Sequence, residues 1–128
     1  MGSNCFVNWP PSSLNILYRK DIDKLFDQVF TIPKDWNLRI VEFETVKLGP
    51  IGPAEFYIKR TSAGEAVHIP KNFVEAKIGS LRDKCCPKDN LVEGKCPHPG
   101  GASWPKADLG GIHGAVTAEI GIQPSRKD

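Results

Sequence analysis

Five side chains with thiol or imidazole donors fall in the C-terminal third of the sequence: Cys85, Cys86, Cys96, His98 and His113. Zinc needs about four such donors converging tetrahedrally. One of Cys85 or Cys86, together with Cys96, His98 and His113, supplies that number. The spacing is not that of a two-residue zinc knuckle, because Pro97 alone separates Cys96 from His98 and His113 lies far downstream. Two other states use the same thiols. A disulfide from Cys85 or Cys86 to Cys96, leaving the other to reach Cys5, suits an oxidising compartment. Cys85 and Cys86 are poor partners for each other, since adjacent cysteines strain the peptide between them. Free thiols are the first expectation, ahead of the disulfide and of zinc, and no cofactor is assigned.

The same residue types raise catalysis. Gly2-Ser3-Asn4-Cys5, with Val67-His68 on a later strand, resembles the arrangement in small papain-like amidases, where a thiolate sits opposite a strand histidine. In that family the cysteine begins a helix whose positive end lowers its pKa. Here Pro10-Pro11 follow Cys5 and the predicted helix starts later, so Cys5 reads as a tail cysteine. A second enzyme reading takes two of His68, His98 and His113 as general base and acid on RNA, with Lys59 or Lys71 stabilising the phosphorane charge. Small secreted toxin domains have this size and basicity. No phosphate-cradling glycine motif, paired helical histidines or nucleophile elbow is present. Binding is therefore preferred over catalysis.

These side chains need elements to hold them. From Asn37 to Leu48 the apolar positions change phase: Leu38 and Ile40 share one face, Val41 and Phe43 the other, and Val46 and Leu48 return to the first. Side chains alternate strictly along a regular strand, so this reads as one long strand bent by bulges or coiling. Two short strands joined by an irregular link are the alternative. Gly49-Pro50-Ile51-Gly52-Pro53 then breaks the pairing. Phe56 and Ile58 face one way and Tyr57 and Lys59 the other, and Ser62-Ala63-Gly64 reads as the loop of a hairpin returning through Glu65 to Ile69. That return places His68 near Tyr57 or Lys59.

A helix is predicted from Leu14 to Phe30, with Ser13 as N-cap and Leu14, Leu17, Tyr18, Ile22, Leu25, Phe26 and Val29 forming its apolar stripe. Pro33 stops it. Lys71 to Ile78 reads as a short helix with Phe73, Val74 and Ile78 inward, ended by Gly79-Ser80, and another strand is the alternative. Residues 85–111 form an irregular Gly/Pro/Cys-rich loop, and Ile112 to Ile122 a final strand closing the sheet. The expected fold is one α+β domain over residues 1–128, flexible over 1–12, with the helix packed on a curved, mostly antiparallel sheet.

At 128 residues and 40% hydrophobic composition the chain suffices for one core. With 17 Lys and Arg against 15 Asp and Glu, the net charge of +2 is no electrostatic signature, so any nucleic-acid surface must come from local clustering. No run is apolar and long enough to span a membrane, and a soluble, intracellular protein is the expectation. Met1-Gly2-Ser3 reads as an expression scar, which leaves export open.

Val46-Lys47-Leu48-Gly49-Pro50, Phe56-Tyr57-Ile58-Lys59-Arg60 and Val67-His68-Ile69-Pro70-Lys71-Asn72-Phe73 together are similar to the first three strands of small OB-like single-stranded DNA-binding proteins of viruses and mobile elements. The likeness covers about a third of the chain; Asn72 stands where that family has a basic residue. It implies a partial barrel that binds single-stranded DNA or RNA through stacking and phosphate contacts. Trp36, Tyr57, His68 and Phe73 are the candidate stackers, and Arg39, Lys47, Lys59, Arg60, Lys71 and Lys77 the candidate phosphate ligands. Glu42, Glu44, Glu55 and Glu75 dilute such a groove. A third reading is a protein-interaction module that uses the sheet edge.

Overall fold

The computed structural model describes residues 3–4, 17–52, 54–89, 94, 96, 106–108 and 117–124. In chain order these form β1 (Ser3–Asn4), α1 (Arg19–Phe26), β2 (Asn37–Ile40), β3 (Thr45–Ile51), β4 (Ala54–Arg60), β5 (Val67–Pro70), α2 (Lys71–Cys85), β6 (Lys106–Asp108) and β7 (Ala118–Pro124). A π-helical turn over Asp27–Thr31 prolongs α1. The strands make an antiparallel five-stranded sheet in the order β1-β6-β7-β4-β3 and a separate antiparallel pair, β2-β5. The class is α+β, as expected, and neither sheet closes into a barrel.

Alternation along β4 and β7 builds the core. Ala54, Phe56 and Ile58 lie opposite Pro124, Ile122 and Ile120, and Ala54, Phe56, Ile58, Ile120 and Ile122, with Ala118, are buried on one face. Ile22 and Leu25 of α1 and Val74, Ile78, Leu81 and Cys85 of α2 complete the same cluster. Each aliphatic side chain so buried contributes about 1.5–3 kcal/mol. Phe30 stacks on Phe56 at 5.8 Å and on Trp36 at 5.9 Å, which joins the π-helical turn to the sheet. No helix among the described residues is long and apolar enough to cross a membrane.

The phase change between Asn37 and Leu48 is a turn and not a bent strand. The Glu44 N–H donates to the Val41 carbonyl at 3.2 Å, and the Glu44 carboxylate accepts the Val41 N–H at 2.9 Å. β2 and β3 then leave this turn for different sheets, so the off-phase pair Val41 and Phe43 faces solvent. The alternative of two short strands is the observed one.

The expected hairpin after Arg60 does not form. β4 is flanked by β3 and β7, so it has no free side for the next strand, and β5 pairs with β2 instead. His68 consequently lies opposite Arg39, away from Tyr57. The Gly49-Pro50 step does not end pairing either: β3 continues to Ile51 through a register shift after Leu48.

α1 begins at Arg19 and not at Leu14; Tyr18 is extended at its N-cap position. Leu17 lies before this break, and its carbonyl accepts the Cys96 N–H at 2.8 Å. Ser13 lies outside the described residues. α2 runs past Gly79-Ser80 because Leu81 and Cys85 extend the buried stripe of Val74 and Ile78 at helical spacing. The expected final strand is present as β7, Ala118–Pro124, which lies between β6 and β4; residues 112–116 of its expected range lie outside the described residues.

Candidate functional site

Several residues expected to bind nucleic acid are committed to the framework. Arg60 is 1% exposed. Its Nη1 donates to the carbonyls of Ile40 (3.2 Å) and Glu65 (2.7 Å), and its Nη2 to that of Ala63 (3.2 Å). A guanidinium so enclosed cannot reach a phosphate, which corrects its assignment. Lys71 is tied in the same way: its Nζ donates to the carbonyls of Phe30 at 2.9 Å and of Pro33 and Lys34 at 3.0 Å each, and so satisfies the end of the π-helical turn. The Trp36 indole N–H donates to the Val29 carbonyl at 2.8 Å, and Phe73 packs against the core.

Tyr57 is on the outer face of the sheet yet only 6% exposed. Its ring lies across Gly121, where a Cβ would fall within 2.5 Å of two ring carbons and the hydroxyl oxygen, and its hydroxyl donates to the Glu119 carboxylate. Burial, then the Glu119 hydrogen bond and charge, push the phenol far above its ordinary pKa. Stacking a base on Tyr57 would require displacing this arrangement.

Arg39, Lys47, Lys59, His68 and Lys77 are exposed. Arg39 and His68 form a cross-strand pair on β2-β5. Lys47 and Lys59 share the outer face of the large sheet, Lys47 opposite Tyr57 and Lys59 between Thr45 and Glu119. Arg39 and His68 thus stand on one sheet, Lys47 and Lys59 on the other, and Lys77 on α2. His98 and His113 lie outside the described residues, as does Cys5, and with them the ribonuclease set and the Cys5-His68 pair.

Cys86 and Cys96 form a disulfide with Cα atoms 4.8 Å apart, and Cys85 is also disulfide-bonded. No cysteine among the described residues is a free thiol. This corrects the expectation of free thiols. It also corrects the zinc set of Cys85, Cys86, Cys96, His98 and His113, because a disulfide sulfur offers no thiolate to a metal. No three His, Cys, Asp or Glu residues converge as a metal site among the described residues.

One surface residue was not singled out from the sequence as a ligand-binding position. Phe43 is 62% exposed with φ of 59°, beside Val41, which is 37% exposed. The turn carrying them is braced on both sides. The Glu42 carboxylate accepts the Gly64 N–H at 3.0 Å, and Arg60 ties Ile40 to the same loop. The off-phase position of Val41 and Phe43 was the available signal, but it was assigned to bending of a strand.

A cavity of about 420 Å³ is lined by Arg19, Arg82, Asp83, Pro87 and Lys88. Arg19 there donates to the Cys86 carbonyl (2.6 Å), to Asp23 (3.0 Å) and to Asp83 (3.2 Å), and Arg82 pairs with both aspartates. The hydrogen bond from Arg82 and the two guanidinium charges hold the Asp83 carboxyl below its usual range. This network fastens α1 to the end of α2. No family model matches the chain, and no curated protein or solved structure matches it either.

Proposed function

We propose that this chain is a non-enzymatic, disulfide-braced recognition domain that engages a partner protein through the Val41–Phe43 tip. The observation that carries the reading is Phe43. A bulky residue at positive φ costs about 1–3 kcal/mol, and its ring forgoes burial as well. Such strain accumulates where a surface is held ready for a ligand, and an exposed aromatic on a rigid support is a typical interface anchor. The disulfides support residence in an oxidising compartment, where such bonds persist.

The test is selection of displayed peptides on the folded protein, followed by titration of the recovered peptides against Phe43→Ala and Phe43→Gly. Binding should fall at least about tenfold in both variants. Phe43→Gly should meanwhile raise stability by about 1 kcal/mol, because glycine adopts positive φ without strain. Peptides that bind all three proteins equally would sink the proposal.

A second reading, single-stranded nucleic-acid binding on an OB-like scaffold, is supported by the exposed Arg39-His68 pair and by the exposed face of Phe43. Its test is fluorescence anisotropy with an unstructured oligonucleotide at several salt concentrations. Binding that weakens with salt and with Arg39→Ala or Lys59→Ala supports it; no binding at low salt removes it.

A further inference from the structure

β3 is the last strand of its sheet, and among the described residues it pairs only with β4. The direction of its free backbone groups follows from two hydrogen bonds. Arg60 N–H donates to the Glu44 carbonyl at 2.9 Å, and Thr61 N–H to the Thr117 carbonyl at 2.9 Å. Successive residues thus bond to opposite sides, Arg60 toward β3 and Thr61 toward β7. Carried along the register, Val46 and Leu48 turn their amides inward to Ile58 and Phe56, and Thr45 and Lys47 turn theirs out to the edge. The side chains of Thr45 and Lys47 share the outer face with Tyr57 and Lys59, whereas Val46 and Leu48 point to the core side and are only partly buried.

We propose that the β3 edge receives an extended peptide of alternating acidic and apolar residues as an added strand. This rests on the protein-recognition reading and names its partner class. Backbone pairing to Thr45 and Lys47 would supply affinity without regard to sequence, and the alternation supplies selectivity. Residues opposite Val46 and Leu48 would finish burying them, which requires apolar side chains. Residues opposite Thr45 and Lys47 meet the Lys47 ammonium, whose side chain is 60% exposed at the edge. Its partner Glu55, 3.9 Å from the Lys47 Nζ, is one strand further in, 10% exposed, and also accepts from Gln123 at 2.8 Å. An incoming carboxylate suits that face and a lysine does not. The Val41–Phe43 tip precedes Thr45 directly and extends the apolar contact at that end.

The experiment is a titration of the isotope-labelled protein, followed by amide NMR, with three synthetic peptides of about seven residues. One alternates Glu and Val, one alternates Lys and Val, and one is the Glu-Val peptide N-methylated at its Glu residues, which would lie opposite Thr45 and Lys47. The expected result is that the Glu-Val peptide slows hydrogen exchange at the Thr45 and Lys47 amides at least about tenfold, while the methylated peptide and the Lys-Val peptide do not bind. Lys47→Glu, at an exposed position, should exchange the preference between the charged peptides. Equal binding of methylated and unmethylated peptides, with shifts confined to Val41 and Phe43, overturns the edge proposal and leaves the tip reading standing. Self-association through β3 in sedimentation, or no response at Thr45 and Lys47 to any peptide, overturns it as well; loss of the tip reading is detected separately by indifference of selected peptides to Phe43.

Discussion

At the residue scale, burial and not residue type separates the binding candidates from the framework. Arg60 and Lys59 are neighbours of the same charge, but alternation sends Lys59 to solvent and Arg60 into the core side, where three carbonyls take its protons. Arg60→Met should therefore cost about 2–4 kcal/mol in urea denaturation, since it leaves those carbonyls without donors. A variant as stable as the parent would show that water replaces the guanidinium. Tyr57 supplies a pH test. Its folded-state pKa lies above the unfolded value of 10.0, so the unfolded chain loses this proton first. The linked stability is complete below about pH 10 and is lost as pH rises toward the folded value. Tyr57→Phe removes that loss, and the difference in urea midpoint between parent and variant should shift in favour of the variant from pH 9 to pH 12. A constant difference would mean that the phenol ionises freely. Gly121→Ala should destabilise by about 1–3 kcal/mol, because its methyl group would overlap the Tyr57 ring.

At the element scale, the Cys86–Cys96 bridge decides how the end of α2 meets the start of α1. It closes a separation of ten residues and brings the Cys96 N–H to the Leu17 carbonyl, while Arg19 holds the Cys86 carbonyl from the other side. Replacing both cysteines by serine should cost about 2–3 kcal/mol by the loop-closure argument, read as a lower melting temperature. Exchange should also quicken first at Cys96 and the last turn of α2; uniform quickening would place the loss in the whole fold. The stripe of Val74 and Ile78 revealed α2, but its length depended on Leu81 and Cys85, which the Gly79-Ser80 pair hid. In β2 and β3 the apolar phase correctly marked a discontinuity. It could not say that the segment crosses between two sheets, because a turn and a bulge both reverse parity. The pairing of β5 was illegible for a related reason: Ser62-Ala63-Gly64 carries local hairpin chemistry, whereas β4 already has partners from distant parts of the chain. The Phe43 tip looked like a strand residue because only its exposure and positive φ set it apart.

At the scale of the whole molecule, both helices contribute to the core on one face of the large sheet, and the sheet itself depends on its last strand. β7 lies between β4 and β6 and supplies Ala118, Ile120 and Ile122 to the core. Without it, β4 keeps only β3 as a neighbour, and β6 keeps only the two-residue β1. A lone hairpin is marginal in water, and the helices would lose much of the apolar surface they cover. Strands far apart in sequence must therefore meet before the core closes, which makes folding slow relative to a helical bundle of this length. A chain ending at residue 116 should accordingly lack a cooperative urea transition and dispersed amide resonances, even with its cysteines oxidised. Ile120→Ala in the full chain should remain folded with a loss of about 2–5 kcal/mol, which separates the missing strand from a weakened core. A truncated chain that unfolds cooperatively would show that β3, β4 and the helices form a stable unit by themselves, and the sheet would then be an extension of that unit and not its foundation.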